Sequence, residues 1–210
     1  MSDAFIREVE ADIRHKQISD LWKRYGKLVI GMAVGIVLVV AGRSLYTYIV
    51  EGKYNRQAEA YTDALKLPAD SQSSALDPII ASGVDGYEIV ASFKKAQLAL
   101  EKDDKAGAVA VLDNFIKNAD VADVYKDMAN IQAAIIELDT ASTDAIRSRL
   151  ALILNGDTSF KYLAAELIAL SELNSGDNEA AKTSLQSLIS NADAPAPVKN
   201  RAEQYLSVIE

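Results

Sequence analysis

Three observations predict an all-α protein, in which a single transmembrane helix precedes a stack of helical hairpins (an α-solenoid). First, residues 27–50 read KLVIGMAVGIVLVVAGRSLYTYIV, an apolar run near the amino end. Second, from residue 54 onward apolar residues recur at three- and four-residue spacing, and no stretch alternates convincingly with the period of a strand. Third, a 30-residue segment repeats 73 positions further along. We expect three parts: a stub (1–27), a transmembrane helix (28–50) and a helical-repeat domain (51–210).

The stub is predicted to be a short amphipathic helix. Its apolar residues fall on a helical stripe at Phe5, Val9 and Ile13, and less regularly at Ile18, Leu21 and Trp22. Two interpretations stay open: a helix that only leads into the membrane, or a surface that docks on a cytoplasmic partner or lies on the membrane. His15, the single histidine of the chain, is expected to be a solvated helix residue because no residues with metal-ligand spacing surround it.

The apolar run is short for a membrane span. Its uncharged part, residues 28–42, ends at Arg43, whereas a bilayer core of ~30 Å needs about 20 residues. Arg43 can snorkel, with its stem along the lipid and its charge among the headgroups, so residues 28–50 are long enough to span. A cleavable export signal, with Val39 and Ala41 before the cut, is one alternative; the long, nearly charge-balanced stub argues against it. A buried core helix is another, and the all-round apolar surface argues against that.

The residues on both sides of the run are predicted to be membrane-interface anchors. They are Trp22, Lys23, Arg24 and Lys27 on the amino side, and Arg43, Tyr46 and Tyr48 on the carboxyl side. The basic cluster before the span favours the cytoplasmic side. We therefore expect a single-pass protein with its amino end in the cytoplasm and its carboxyl domain on the other side.

Three glycines share one side of the predicted span. Gly31 and Gly35 form a G-x-x-x-G pair, and Gly42 lies two turns beyond Gly35. Small residues let transmembrane helices approach closely, which predicts a packing face for a second copy or another membrane helix. The alternative is that glycine is simply common in membrane spans.

Composition excludes several functions. Residues 51–210 carry 15 basic and 25 acidic residues, a net charge of −10, which would repel nucleic acid. The chain has no cysteine, so it has no disulfide, thiolate metal site or cysteine nucleophile. The neighbouring acids Asp103 with Asp104, and Asp120 with Asp123, are explained by helix starts better than by acid–base catalysis. We expect no enzyme, no cofactor and no metal.

Six polar breaks divide the domain into helices. They are EKDDK at 101, NADVAD at 118, LDTAST at 138, NGDTS at 155, NSGDN at 174 and NADAPAP at 191. About eight helices of 10 to 18 residues follow the membrane, and the first of them can be continuous with the anchor. Gly156 and Gly176 are predicted at C′ positions with positive φ. Asp104, Asp120 and Asp177 are predicted to be N-caps.

The repeat is the strongest pattern in the chain. Residues 100–129 align without a gap with residues 173–202, and ten of the 30 positions are identical. The identical pairs include Leu100/Leu173, Asp104/Asp177, Ala108/Ala181, Leu112/Leu185 and Ala129/Ala202. The offset is about two helical hairpins, and a two-helix unit must stack on neighbours to bury its apolar face.

These positions resemble the tetratricopeptide repeat. Ala96 and Ala169 fall at its small position on the first helix, and Ala108 and Ala181 at the small position on the second. The usual Trp and Tyr are missing, Phe115 or Leu188 replaces the third small residue, and Asp120 or Asp193 replaces the Pro. The repeats are thus degenerate, and a generic Ala/Leu helical bundle stays open as the alternative.

The whole layout, with WKRYGK before one short span and a tetratricopeptide-like domain after it, is similar to the ancillary SecYEG translocon subunit (YfgM-like) family. The resemblance implies a bacterial inner-membrane protein whose periplasmic domain works with the SecYEG translocon, a PpiD-type periplasmic chaperone and exported clients. A homodimer stays open. We expect a non-catalytic protein-binding scaffold, and its acidic balance favours basic or amphipathic clients. The alternative is a cell-envelope assembly or stress-signalling factor.

Overall fold

The protein is all-α, as predicted. The computed structural model describes the backbone of residues 2–84 and 86–209, and the side chains of residues 19, 22–28, 30–84 and 86–209. These residues form nine α-helices and no strand: α1 (Ser2–Lys66), α2 (Ala69–Ala81), α3 (Tyr87–Glu101), α4 (Lys105–Asn118), α5 (Asp123–Glu137), α6 (Thr143–Asn155), α7 (Lys161–Asn174), α8 (Asn178–Ser190) and α9 (Ala196–Ile209).

The six predicted breaks all separate helices in the structure, and two further breaks were not predicted. Helices α2–α9 are 13 to 15 residues long. Helix α1 continues without interruption from the predicted span to Lys66, so the option of a continuous junction is confirmed. The additional breaks lie at residues 67–68, where Pro68 precedes α2, and around Gly83 and Gly86, both of which have positive φ.

The chain forms two compact units, Met1–Asn55 and Arg56–Glu210. Within the first unit, α1 is long and apolar enough to cross a membrane, with a mean hydropathy of 2.2 over its most apolar window. No residue of that window is buried, which argues against the buried-core interpretation. The side chains of Phe5, Val9, Ile13, His15, Ile18 and Leu21 lie outside the described residues, so the predicted stripe of the stub stays a prediction.

In the second unit, each helix packs mainly on its neighbours along the chain, with further contacts of α5 on α7 and of α7 on α9. Four apolar clusters lie between the end of α1, α2 and α3, between α3, α4 and α5, between α5, α6 and α7, and between α7, α8 and α9. Successive clusters share a helix, so the core runs along a stack of hairpins. This is the arrangement expected of a helical-repeat protein.

Small residues lie where the helices of the stack approach each other. Ala96, Ala108, Ala169 and Ala181 are all fully buried, as the tetratricopeptide pattern predicts. The large apolar residues Leu112 and Leu185 are also fully buried, one in each copy of the repeat. These small and large apolar residues of the two copies are therefore core residues.

The helix ends of the two copies match at the level of single hydrogen bonds. After α3, the N–H groups of Asp103 and Asp104 donate to the carbonyls of Leu100 and Ala99, each at 2.9 Å. After α7, 73 positions later, Gly176 and Asp177 donate to Leu173 and Glu172 at 2.9 and 3.0 Å. Both are Schellman motifs, in which one left-handed residue satisfies the last carbonyls of a helix. Gly176 (φ 81) takes the predicted conformation, and Asp103 (φ 59) shares it.

Asp104 and Asp177 are the predicted N-caps of α4 and α8. Their carboxylates accept from the N–H groups of Gly107 at 2.8 Å and Ala180 at 3.0 Å. The prediction for Asp120 was wrong. Helix α5 begins only at Asp123, because the chain leaves the helix at Ala119 (ψ 134), whose side chain is buried, and Ala122 (ψ 142) is still non-helical.

The prediction for Gly156 was also wrong, since its φ is −87. The reason for a small residue there is space. A Cβ at this position would lie 2.9 Å from the carbonyl oxygen of Leu152, closer than a side-chain carbon can approach. A glycine is therefore needed for the close approach of the backbone rather than for an unusual φ.

Candidate protein-interaction surface

The predicted anchors on the amino side of the span make two local side-chain contacts. The Trp22 ring lies over Gly26, where an added Cβ would be 3.3 Å from its Cε2 atom, and Gly26 is buried. The Arg24 guanidinium lies 5.7 Å from the centre of the Tyr25 ring, a cation–π distance. Lys23, Lys27, Arg43, Tyr46 and Tyr48 are exposed. The spacing of Trp22 and Gly26, one helical turn, is the signal that sequence reasoning missed.

The three glycines of the predicted packing face lie in α1 with open space beside them. A Cβ added at Gly31, Gly35 or Gly42 would meet no described atom within 4 Å. The role of these glycines as a packing face stays a prediction.

Surface grooves lie along the helical stack, and the following ones are formed by described residues. The α2–α4 groove, of about 310 Å³, is lined by Ile80, Ala81, Gly83, Glu88, Asn114, Phe115, Asn118 and Asp120. The α4–α5 groove, of about 440 Å³, is lined by Lys105, Ala106, Val109, Ala110, Asp113, Ile136, Glu137 and Thr140. The α6–α8 groove, of about 370 Å³, crosses α7 and is lined by Arg147, Leu154, Lys161, Tyr162, Ala165, Ile168, Thr183, Ser184, Ser187, Leu188 and Asn191. Such volumes accept side chains of a bound segment.

An ion-pair network fixes one wall of the α4–α5 groove. Arg149 of α6 donates to Asp113 of α4 at 2.6 Å and to Glu137 of α5 at 2.8 Å. Burial opposes the charge of Arg149, but its hydrogen bonds to the two carboxylates outweigh that effect and raise its pKa. The guanidinium therefore stays charged and holds three helices together.

Helix α7 carries two buried carboxylates, each held by an arginine of a neighbouring helix. Glu166 accepts from the Nε and Nη2 atoms of Arg201 of α9, both at 2.6 Å. Glu172 accepts from Arg147 of α6 at 2.7 Å. The hydrogen bond to Glu166 raises the pKa of Arg201. Because partners lie 25 and 35 residues apart, no local pattern of the sequence indicates either pair.

The neighbouring acids that could have suggested acid–base chemistry have structural positions. Asp104 caps α4, and Asp103 carries the left-handed turn before it. Asp123 is the first residue of α5, where a negative charge is favourable at the helix amino end. Among the described residues, no group of three or more His, Asp or Glu side chains could hold a metal ion.

Comparison with protein families identifies a repeat family. A family model described as a tetratricopeptide repeat-like domain matches residues 19–167, which is most of the chain. The matched region runs from the predicted stub into α7, and the hairpin of α7 and α8 completes the repeat geometry beyond it. Comparisons with curated proteins and with solved structures return no match.

Proposed function

The chain belongs to the tetratricopeptide repeat-like domain family, and on that premise we propose that it is a membrane-anchored, non-catalytic protein-binding scaffold. Domains of this kind generally serve protein–protein interaction and carry no catalytic centre. The observation that carries the proposal is the combination, in one chain, of an exposed apolar helix with a stack of hairpins that has open grooves. The helix would hold the chain at a membrane while the stack binds proteins.

The finer proposal is an ancillary subunit of the SecYEG translocon in the bacterial inner membrane. In this arrangement the stub is cytoplasmic, and the hairpin stack is periplasmic, where it links the translocon to a PpiD-type chaperone and to emerging clients. The support is the resemblance in layout, with WKRYGK directly before a short span. The basic residues on that side of the span favour the cytoplasmic orientation of the amino end.

In-cell crosslinking tests the scaffold role. Because the chain has no cysteine, single cysteines placed at exposed positions such as Thr183 and Ser207 give defined attachment points for a crosslinker. We expect products that contain translocon subunits, the chaperone or exported chains. Products with other envelope proteins only would overturn the translocon assignment, and no protein products from any position of the stack would overturn the scaffold role.

Topology is tested separately. A protease added outside the inner membrane should digest the chain beyond about residue 50 and spare the stub. Amino-terminal sequencing of the mature protein should then give residues of the stub. A mature chain that starts at Gly42 would establish the cleaved-signal interpretation instead and remove the anchor from the proposal.

The second candidate is a cell-envelope assembly or stress-signalling factor, which the long stub in helix α1 favours. Deletion of residues 1–20 separates the two functions. The scaffold role requires that partner crosslinks from the hairpin stack persist in the truncated protein. A signalling role through the stub requires instead that all function is lost when these residues are removed.

A further inference from the structure

The α6–α8 groove is opposite in charge to the domain around it. Its lining contains Arg147 and Lys161 and no carboxylate. The α2–α4 groove instead contains Glu88 and Asp120, and acids outnumber bases in the α4–α5 groove. Residues 51–210 as a whole have ten more acidic than basic residues. A partner that the rest of the surface attracts by its positive charge would therefore not suit this groove.

The two cations of the groove have different environments. Arg147 is paired with the buried carboxylate of Glu172, so its charge is matched. Lys161 is exposed at the first residue of α7 and forms no ion pair with any carboxylate of the described residues. No side chain caps this end of α7, and the helix dipole adds positive potential there. The end of the groove at Lys161 thus favours an anionic group.

The floor of the groove is apolar and its far wall is polar. Ile168 and Leu188 are each 4% exposed at the bottom, and Leu154, Tyr162 and Ala165 are half-buried beside them. Thr183, Ser184 and Ser187 supply hydroxyl groups along α8, and Asn191 supplies an amide at its carboxyl end. A volume of about 370 Å³ is near the lower end of the ~300–1,000 Å³ typical of ligand sites. It suits one or two side chains of an extended segment and is too small for a whole helix.

We propose that the α6–α8 groove binds an extended protein segment in which an acidic side chain stands close to a large apolar one. The carboxylate pairs with the Lys161 ammonium, and the apolar side chain enters between Ile168 and Leu188. The hydroxyl groups of α8 then hydrogen-bond the backbone of the segment. This inference rests on the proposed scaffold function and adds the chemistry of one partner segment to it.

Disulfide tethering tests the proposal on the full-length protein in nanodiscs of zwitterionic lipid. Ser187→Cys gives the chain a single thiol beside the groove. The probes are two octapeptides of Gly and Ser, each with one Cys and one Phe, that differ only in carrying Glu or Gln two residues from the Phe. The fraction of protein tethered is measured at equilibrium in a thiol buffer. Circular dichroism checks the fold, and Thr183→Cys replaces Ser187→Cys if that variant is unfolded.

We expect about fivefold stronger tethering of the Glu peptide, which is the upper range for an exposed ion pair. Lys161→Gln should abolish the preference, whereas Lys117→Gln, at an exposed lysine of α4 outside the groove, should keep it. A thiol at Ser207, on α9, should show no preference. Equal tethering of both peptides, or a preference that survives Lys161→Gln, would overturn the proposal.

A fatty acid is the competing occupant, since it also joins a carboxylate to an apolar chain. Decanoate below its micellar concentration is therefore added as a competitor. Displacement of both peptides by decanoate, without any preference for Glu, would assign the groove to a fatty acid and overturn the peptide proposal. The tethering experiment can fail while in-cell crosslinks from other positions of the stack persist. That result would overturn the groove assignment alone and would leave the scaffold function supported.

Discussion

The hairpins α3–α4 and α7–α8 have the same turn between their helices and different cores. The two turns carry the same hydrogen bonds, and Leu112 and Leu185 are buried alike. In the first hairpin, Phe93 packs edge-on against Phe115 with ring centres 5.7 Å apart. In the second, Glu166 stands at the position of Phe93, and Arg201 of α9 neutralises it.

A second position shows the same change, because Glu172 of α7 replaces Ala99 of α3 and is held by Arg147. The difference teaches that the repeat requires small residues, caps and one left-handed turn, and leaves the rest of the inner surface free. At those free positions, a hairpin can bind its neighbours through apolar contact or through charge. The charged solution needs partners on both sides of α7, since Arg147 belongs to α6 and Arg201 to α9.

The largest effect is expected from the core residue that both hairpins share. Leu112→Ala and Leu185→Ala should each lower the free energy of unfolding by about 2–5 kcal/mol, since both remove fully buried methyl groups. Urea unfolding of the full-length protein in detergent, followed by circular dichroism, measures both variants. The exposed Leu152 of α6 is the control, and its alanine variant should change stability by less than about 0.5 kcal/mol. A loss in one hairpin only would contradict the equivalence of Leu112 and Leu185.

The next largest effect on stability is expected from the ion pair of the buried Glu166 with Arg201. Arg201→Met leaves Glu166 buried without its partner and should cost about 2–3 kcal/mol, less than for a fully buried pair because the Arg201 side chain is 41% exposed. The double variant Glu166→Phe with Arg201→Met installs the residues that lie 73 positions earlier, Phe93 of α3 and Met128 of α5. It should regain most of the loss.

Lys102→Met is the matched control, since it breaks an exposed pair with Asp70 and should change stability by less than about 0.5 kcal/mol. If the double variant is as unstable as the single one, the charged solution is required by the geometry of α7 and is not interchangeable with the apolar one.

Removal of the helix caps is expected to give a smaller effect on stability. Alanine substitutions at three aspartates can be compared. Asp104→Ala and Asp177→Ala should each cost about 1 kcal/mol, since each removes an acceptor for a backbone N–H at a helix start. Asp120→Ala should be close to neutral, because α5 starts at Asp123. Thermal unfolding measures all three. A loss at Asp120 similar to the other two would restore it as a cap and contradict the helix boundary.

Substitutions at the two left-handed turn residues are expected to change stability in opposite directions. Asp103→Gly should raise stability by roughly 0.5–1 kcal/mol, because glycine adopts positive φ without strain. Gly176→Ala should lower it by about 1 kcal/mol for the same reason. Comparison of the two midpoints of thermal unfolding decides the matter, and a stabilising Gly176→Ala would contradict the turn geometry.

The smallest effect on stability concerns the first unit. Gly31→Leu with Gly35→Leu should leave membrane insertion intact, since leucine favours lipid at least as much as glycine. It should weaken lateral association, measured as copurification with membrane partners or with a tagged second copy. Ile30→Leu with Val34→Leu, beside these glycines on α1, is the matched control. Unchanged copurification would mean that the glycine face contacts only lipid.

The features predicted correctly from the sequence are those that depend on residues close together in the chain. Asp104 and Asp177 cap helices through contacts three residues away, and the spacing of Ala96 and Ala108 predicts close helix packing without knowledge of the neighbours. Helix starts were harder to predict from the sequence where a buried residue determines the boundary. Ala119 is buried in an extended conformation, which moves the start of α5 away from Asp120.

Two breaks were missed although their residues are ordinary turn formers. Pro68 has no N–H and disfavours helix at the residue before it, and Gly83 and Gly86 adopt positive φ. The candidate grooves could not be predicted, because each needs residues of several helices. Lys161 shows the limit most clearly, since its proposed role depends on its place in the α6–α8 groove and on the lack of an ion pair with any carboxylate of the described residues.

The order of helix contacts has a consequence for how the chain folds. Helices of the second unit contact their neighbours or next neighbours, so native contacts close only short loops of chain. Proteins dominated by such local contacts fold quickly, and repeat arrays can nucleate at any unit and propagate. The hairpin of α3 and α4 needs no residue beyond α5 to complete its cluster. Folding of this chain can therefore proceed from the amino side while the carboxyl end is still being synthesised. During synthesis, α9 should be the last helix to become protected from hydrogen exchange.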